Sequence, residues 1–221
     1  MSRPEHLAID GRQLVELRKM VSRGEGQHLE FKRKAAFPDK IVRELIAFAN
    51  TDGGVLLVGV DDDGTIPGVK YPEEELLMVQ KELAASCRPA LAVETQVIRV
   101  NEKRYVLRLE ARQSSKRPHF QVNKGEKISF VREKDQSIRA SKEMIEVTRR
   151  LKTLKGMRFP YGEAEQKVIR FLADHEGISL GEFAKLTGLN RYAASRKLVR
   201  LVLANVLRIT PTEKGDIFSR S

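Results

Sequence analysis

Residues 47–64 read AFANTDGGVLLVGVDDDG, and the reading of this stretch decides the fold. Asn50-Thr51-Asp52-Gly53-Gly54 is a dense turn signal that stops the apolar helix before it. Val55 to Val60 is then a continuous apolar run, typical of a strand buried on both faces. Asp61-Asp62-Asp63-Gly64 turns the chain again.

Upstream, Pro38 and Asp39 start the helix, and Ile41, Leu45, Ile46 and Phe48 form its apolar side. Before it lies GEGQHLEFK, residues 24–32. Gly24-Glu25-Gly26 breaks a first helix that Asp10 can cap, with Leu14, Leu17 and Val21 at helical spacing up to about Ser22. His28 to Lys32 alternates like a half-buried strand, with Leu29 and Phe31 on one face and Glu30 and Lys32 on the other.

Downstream, a helix follows Pro72, carrying Leu76, Leu77, Val79 and Leu83. Two alternating strands, Val93 to Val100 and Arg104 to Leu109, form a hairpin. A second strand pair is expected around Lys124-Gly125, ending in Ile128-Ser129-Phe130-Val131-Arg132. Ser141 caps a helix through about Leu154, and Gly156, Pro160 and Gly162 punctuate a boundary. Two domains are expected, 1–157 and 158–221, of α+β class.

The last sixty or so residues have their own pattern. A helix from about Glu163 to His175 carries Val168, Ile169 and Leu172; Ser179 caps a short helix; Gly188 makes a turn; Asn190 caps a third helix that buries Ala194, Leu198, Leu201 and Val202. Val206 to Ile209 and Ile217-Phe218 read as a small hairpin. Three helices and a hairpin resemble a winged helix-turn-helix, whose second motif helix presents its N-terminal side chains to a groove. Those side chains are Arg191, Tyr192, Ser195 and Arg196, with Arg200 one turn on and Lys214 near the hairpin tip. Arginine takes phosphate or a guanine edge bidentately, and tyrosine and serine reach phosphates. The alternative is a winged helix used for protein contact.

Composition points the same way. The 221 residues carry 41 Lys and Arg against 30 Asp and Glu, net +11, with a sequence pI near 9.8. The excess is uneven: residues 99–158 hold 18 basic and 7 acidic side chains, net +11 by themselves. Such a balance suggests a polyanionic partner, DNA or RNA before a membrane; the bland reading is a solvated face. One cysteine, Cys87, excludes a disulfide framework and a Cys-based zinc site and fits the cytoplasm. No apolar stretch reaches the roughly 20 residues that span a bilayer, so no membrane partner is expected. GxxxxGK[ST] and GxGxxG are both absent, so no nucleotide cofactor is expected. The histidines, His6, His28, His119 and His175, lie far apart and form no acid–base or zinc constellation.

The LEFK strand, the helix ending FANTDGG and the strand ending GVDDDG resemble the Schlafen-type AlbA-like domain over about residues 10–155. Pro118, the ISFVR segment at 128–132 and Ala140-Ser141 resemble it as well. The resemblance implies an AlbA-like mixed fold and, from the family's nucleases, carboxylates acting with a divalent metal on tRNA-like RNA. The matching positions are Glu25, Glu30 and Asp62, with Asp61 as the alternative to Asp62. Oxygen ligands of this kind suit Mg²⁺ or Mn²⁺, and Lys32 could stabilise developing phosphate charge. The opposing readings are equally concrete: Glu25 in a solvated turn, Glu30 paired with a neighbouring Lys or Arg, and the Asp run as turn chemistry alone. The family's Asn50–Gly54 turn is sometimes read as an ATP feature; without a P-loop its Gly pair is read as backbone geometry. Two-lobe members enclose nucleic acid between lobes, so a one-lobe chain is expected to form a homodimer. Three functions stand side by side: a nucleic-acid-binding transcription regulator, a metal-dependent endoribonuclease, and a protein-interaction adaptor.

Overall fold

The structure is a computed structural model that describes residues 10–151 and 161–221. They fold as two compact units that divide between Ser137 and Ile138. The boundary expected at 157/158 lies outside the described residues. Among those residues, no helix is long and apolar enough to cross a membrane.

The N-terminal unit is built on a four-stranded sheet. β1 (Leu29–Lys32) runs parallel to β2 (Gly54–Val58), which pairs antiparallel with β5 (Arg104–Ala111), which pairs with β4 (Glu94–Asn101). Side-chain alternation along β2 explains the layers. Leu56 and Val58 face α2 (Pro38–Asn50) and α3 (Pro72–Ser86), packing with Ile41, Leu45, Phe48 and Val79. Leu57 faces α1 (Gly11–Val21), packing with Leu17, Val21 and Phe31. The strand is thus buried on both faces, as its apolar run requires. Asp10 caps α1 by accepting from Arg12 and Gln13 backbone N–H groups.

The turn between α2 and β2 needs both glycines. Gly53 has φ +81°, a conformation that side chains other than glycine's resist. A Cβ on Gly54 would lie 2.4 Å from the Phe48 ring. The glycine pair therefore has a packing reason within the fold.

α2 is buried along nearly its whole C-terminal half, from Glu44 to Asn50. A sheet covers one side of it; the other meets β3 (Cys87–Arg88) and β6 (Phe120–Asn123), whose sheet continues to β7 (Glu126–Ile128), and the hairpin of β8 (Phe130–Glu133) and β9 (Gln136–Arg139). The single strand expected to end at Arg132 is broken at Ser129. Buried Asn50 causes the break: its Nδ2 donates to His119 O (3.0 Å), Ser129 Oγ (3.0 Å) and Phe130 O (2.9 Å), while its Oδ1 accepts from His119 N–H at 2.7 Å. One side-chain amide replaces the ladder at that point.

The C-terminal unit comprises α4 (Lys142–Arg150), α5 (Glu163–Asp174), β10 (Ile178–Ser179), α6 (Leu180–Thr187), α7 (Arg191–Leu203), β11 (Leu207–Thr210) and β12 (Ile217–Arg220). Ser179 and Glu182 form a capping box on α6, Gly188 turns the chain at φ +71°, and Asn190 caps α7 through Ala193 N–H. The expected hairpin is present, but it is part of a three-stranded sheet in which β12 lies between β10 and β11. Val168, Leu172, Phe183, Ala194, Leu198, Leu201 and Phe218 fill the core. Ser141 caps α4 through Met144 N–H, and Val147 of α4 packs on Val199 and Leu203 of α7.

Candidate functional site

The carboxylates singled out by the LEFK strand lie near one another but serve different ends. The register pairs Glu30 with Leu56, so Glu30 faces α2 and is buried, not exposed as simple alternation suggests. Its Oε2 accepts from Arg132 Nη2 at 2.7 Å, and its Oε1 pairs with Lys32 Nζ. Arg132 is itself buried. Its Nη1 reaches Glu44 Oε2 at 3.0 Å, its Nη2 also donates to Gly26 O at 2.9 Å, and its guanidinium lies 5.0 Å from the Phe48 ring centroid. Glu44 further pairs with Arg43 at 2.8 Å and accepts from Ser137. Buried charge in this number is tolerable because every charge has a partner.

Glu25 lies at the edge of this cluster, accepting from Phe31 N–H at 2.8 Å. Glu25 is exposed as a residue, but partial desolvation of its carboxyl raises its pKa above the usual glutamate value; the Phe31 N–H opposes this, Glu30 adds to it, Lys32 opposes and Asp62 adds. Asp61 and Asp63 perform turn chemistry. Asp63 Oδ1 accepts from Thr65 N–H at 2.8 Å and Thr65 Oγ1 at 2.7 Å, and Asp61 stands 3.6 Å from Arg33. Exposed Asp62 lines a cleft of about 400 Å³ with Arg18, Ser22, Gly24 and Phe31. Cations already engage both Glu30 oxygens, and among the described residues no three carboxylate, imidazole or thiol groups gather so as to hold a metal ion. In this arrangement Glu25, Glu30 and Asp62 do not fit a divalent cation. Burial pushes the Cys87 thiol up to about 11, so it is no ready nucleophile. His119 is fully buried, hydrogen-bonded to Pro89 O (2.9 Å) and Ser114 Oγ (2.7 Å).

β1 to β9 with α2 and α3 lie within residues 25–141, which match the family model described as Schlafen, AlbA_2 and make up just over half of the chain. The chain belongs to the Schlafen AlbA_2 family. No curated protein matches it. Among solved structures it is similar to the N-terminal domain of an ATP-dependent DNA helicase RecG-related protein from Nitrosomonas europaea. That likeness has 25% identity and a TM-score of 0.43, over 53% of this chain and 85% of that one. It is also similar to the DIP2311 protein from Corynebacterium diphtheriae, at 16% identity and a TM-score of 0.46. This second likeness covers 94% of this chain and 39% of that one.

The Schlafen AlbA_2 chain carries its other candidate residues on α7. Arg191, Tyr192 and Arg196 are exposed and Arg200 is half-buried. Arg196 Cζ lies 5.7 Å from the Tyr192 ring centroid. Lys214 is exposed between β11 and β12, where its N–H donates to Thr212 Oγ1. Ser195 differs from the expectation: its hydroxyl donates to Glu143 Oε1 of α4 at 2.6 Å. Sequence reasoning missed α4 as a wall of this site, and it missed Arg132 as the buried partner of Glu30 and Glu44 as the second carboxylate on Arg132. Val199 and Leu203 were the available signal for α4, because they lie on α7 away from its core-facing residues.

Proposed function

We propose that this chain is a nucleic-acid-binding regulator whose C-terminal unit is a winged helix-turn-helix. The stripe of Tyr192, Arg196 and Arg200 at i, i+4 spacing on α7, with exposed Arg191 at the start of the helix, carries this reading. Guanidiniums bind phosphate through paired N–H groups, and an exposed aromatic ring adds a face for bases. Membership of the Schlafen AlbA_2 family and the net charge of +11 support the same partner class. Metal-dependent cleavage has no such support, since its central carboxylate, Glu30, is held by Arg132 and Lys32. Incubation with labelled tRNA and duplex DNA, with and without Mn²⁺, should give shifted but intact nucleic acid. Metal-dependent cleavage would restore the nuclease, and no shift on either probe would leave the adaptor. The reading extends to a two-fold homodimer assembled on nucleic acid; light scattering near 25.1 kDa of protein, with and without ligand, would remove that extension.

A further inference from the structure

Helix α7 is apolar on two opposite sides. Ala194, Leu198 and Leu201 enter the C-terminal core, whereas Val199 and Leu203 lie across the helix from them, packed with Val147 of α4. In a helix that reads a major groove, the side away from the core is the reading side. Here α4 is fastened over that side at Ser195, Val199 and Leu203, leaving Tyr192 and Arg196 of the first turns exposed. Glu143 accepts from Ser195 at 2.6 Å, and Ser141, the α4 cap, donates to Asp216. A major groove about 12 Å wide admits one helix, itself about 10–12 Å across with its side chains. Two helices packed at about 8–10 Å between axes present a slab about 20 Å wide, too broad to enter.

What α4 and α7 leave open is a groove of about 700 Å³, with Lys142, Arg150, Arg191, Tyr192, Arg196 and Arg200 among its walls. Its acidic groups are already engaged: Glu143 with Ser195, and Glu146 with Arg149 at 3.1 Å and Arg150 at 2.6 Å. Lys142, Arg191, Arg196 and Arg200 make no ion pair with any described residue. Tyr192 is 72% exposed: the Arg196 guanidinium stands over one face of its ring, 5.7 Å from the centroid, and the rest of the ring is open to contact.

We propose that this groove binds a single strand of nucleic acid, with an unpaired base stacked on Tyr192 and neighbouring phosphates held by Arg191, Arg196 and Arg200. A stacking ring among unneutralised guanidiniums matches the alternation of base and phosphate along one strand. The proposal rests on the nucleic-acid reading above and adds the strandedness.

Fluorescence anisotropy with the full chain tests it, using a single-stranded DNA, the single-stranded RNA of the same sequence and the DNA duplex. Both single strands are expected to bind at least about tenfold tighter than the duplex; a preference between them names the natural strand. Tyr192→Ala should weaken single-strand binding about tenfold, equivalent to about 1.4 kcal/mol, while Tyr192→Phe keeps it. Duplex binding as tight as single-strand binding, or Tyr192→Ala indistinguishable from the parent, overturns the groove but leaves the nucleic-acid reading intact. Failure to bind all three probes overturns both.

Discussion

Arg132 shows how a charged residue can hold a fold together without being a stabilising bargain. Its guanidinium joins buried Glu30 of β1 to buried Glu44 of α2 and also donates to the carbonyl of half-buried Gly26. An ion network of this kind is often no more stable than apolar packing of the same shape, yet removing one member leaves an uncompensated buried charge. Glu30→Ala is therefore expected to destabilise the N-terminal unit by about 3–5 kcal/mol in urea denaturation. A loss below about 1 kcal/mol would mean that Glu30 is free for another task. The alternation of LEFK correctly separates Phe31 from Glu30, but it leaves open what covers the second face. The cover comes from Arg132, 102 residues further along the chain, and no local period encodes that distance. The opposing reading of Glu30, pairing with a neighbouring base, was legible; the identity of its buried partner was not.

Helix α4 was legible as an element and illegible as a partner. Ser141 announces its start, and the structure places the cap there. Its docking on α7 depends on Val147 meeting Val199 and Leu203, a pairing that periodicity within either helix cannot specify. The α6–Gly188–α7 turn was more readable because its signals are local: a capping box, a left-handed glycine and an asparagine cap. One titratable group makes the docking of α4 pH-dependent. Burial of Asp216 raises its pKa above the ordinary aspartate value, with the Ser141 hydroxyl opposing and Glu143 adding. The folded unit thus holds this proton more tightly than the unfolded chain does. Its contribution is full below the unfolded aspartate value of about 3.9 and is lost as pH rises through the raised folded value. Asp216→Asn, which mimics the neutral form, should raise the thermal midpoint by a few degrees at pH 7, with the difference vanishing below about pH 4. An Asn variant melting below the parent at pH 7 would show that the charged bond to Ser141 outweighs the burial.

At the scale of the whole molecule, the layered sheet was legible because β2 is apolar on both faces and its flanking turns are unambiguous. The charge excess was legible too, though its use depends on which side chains are already paired. Arg132 is consumed inside the fold, whereas Arg191 and Arg196 remain exposed on α7. On the proposed reading, the unpaired basic side chains of the C-terminal unit are therefore the ones that neutralise phosphates. The most direct test is affinity as a function of salt, for the parent and for Arg191→Ala with Arg196→Ala. Each phosphate neutralised contributes a slope of about −0.9 on duplex DNA and about −0.7 on a single strand, in log affinity against log salt. With about six contacts, the parent is expected near −4 on a single strand, and the double variant should bind more weakly with a slope shallower by about one unit or slightly more. A nearly flat salt response in the parent, or a double variant with the parent's affinity and slope, would show that these arginines do not neutralise phosphates.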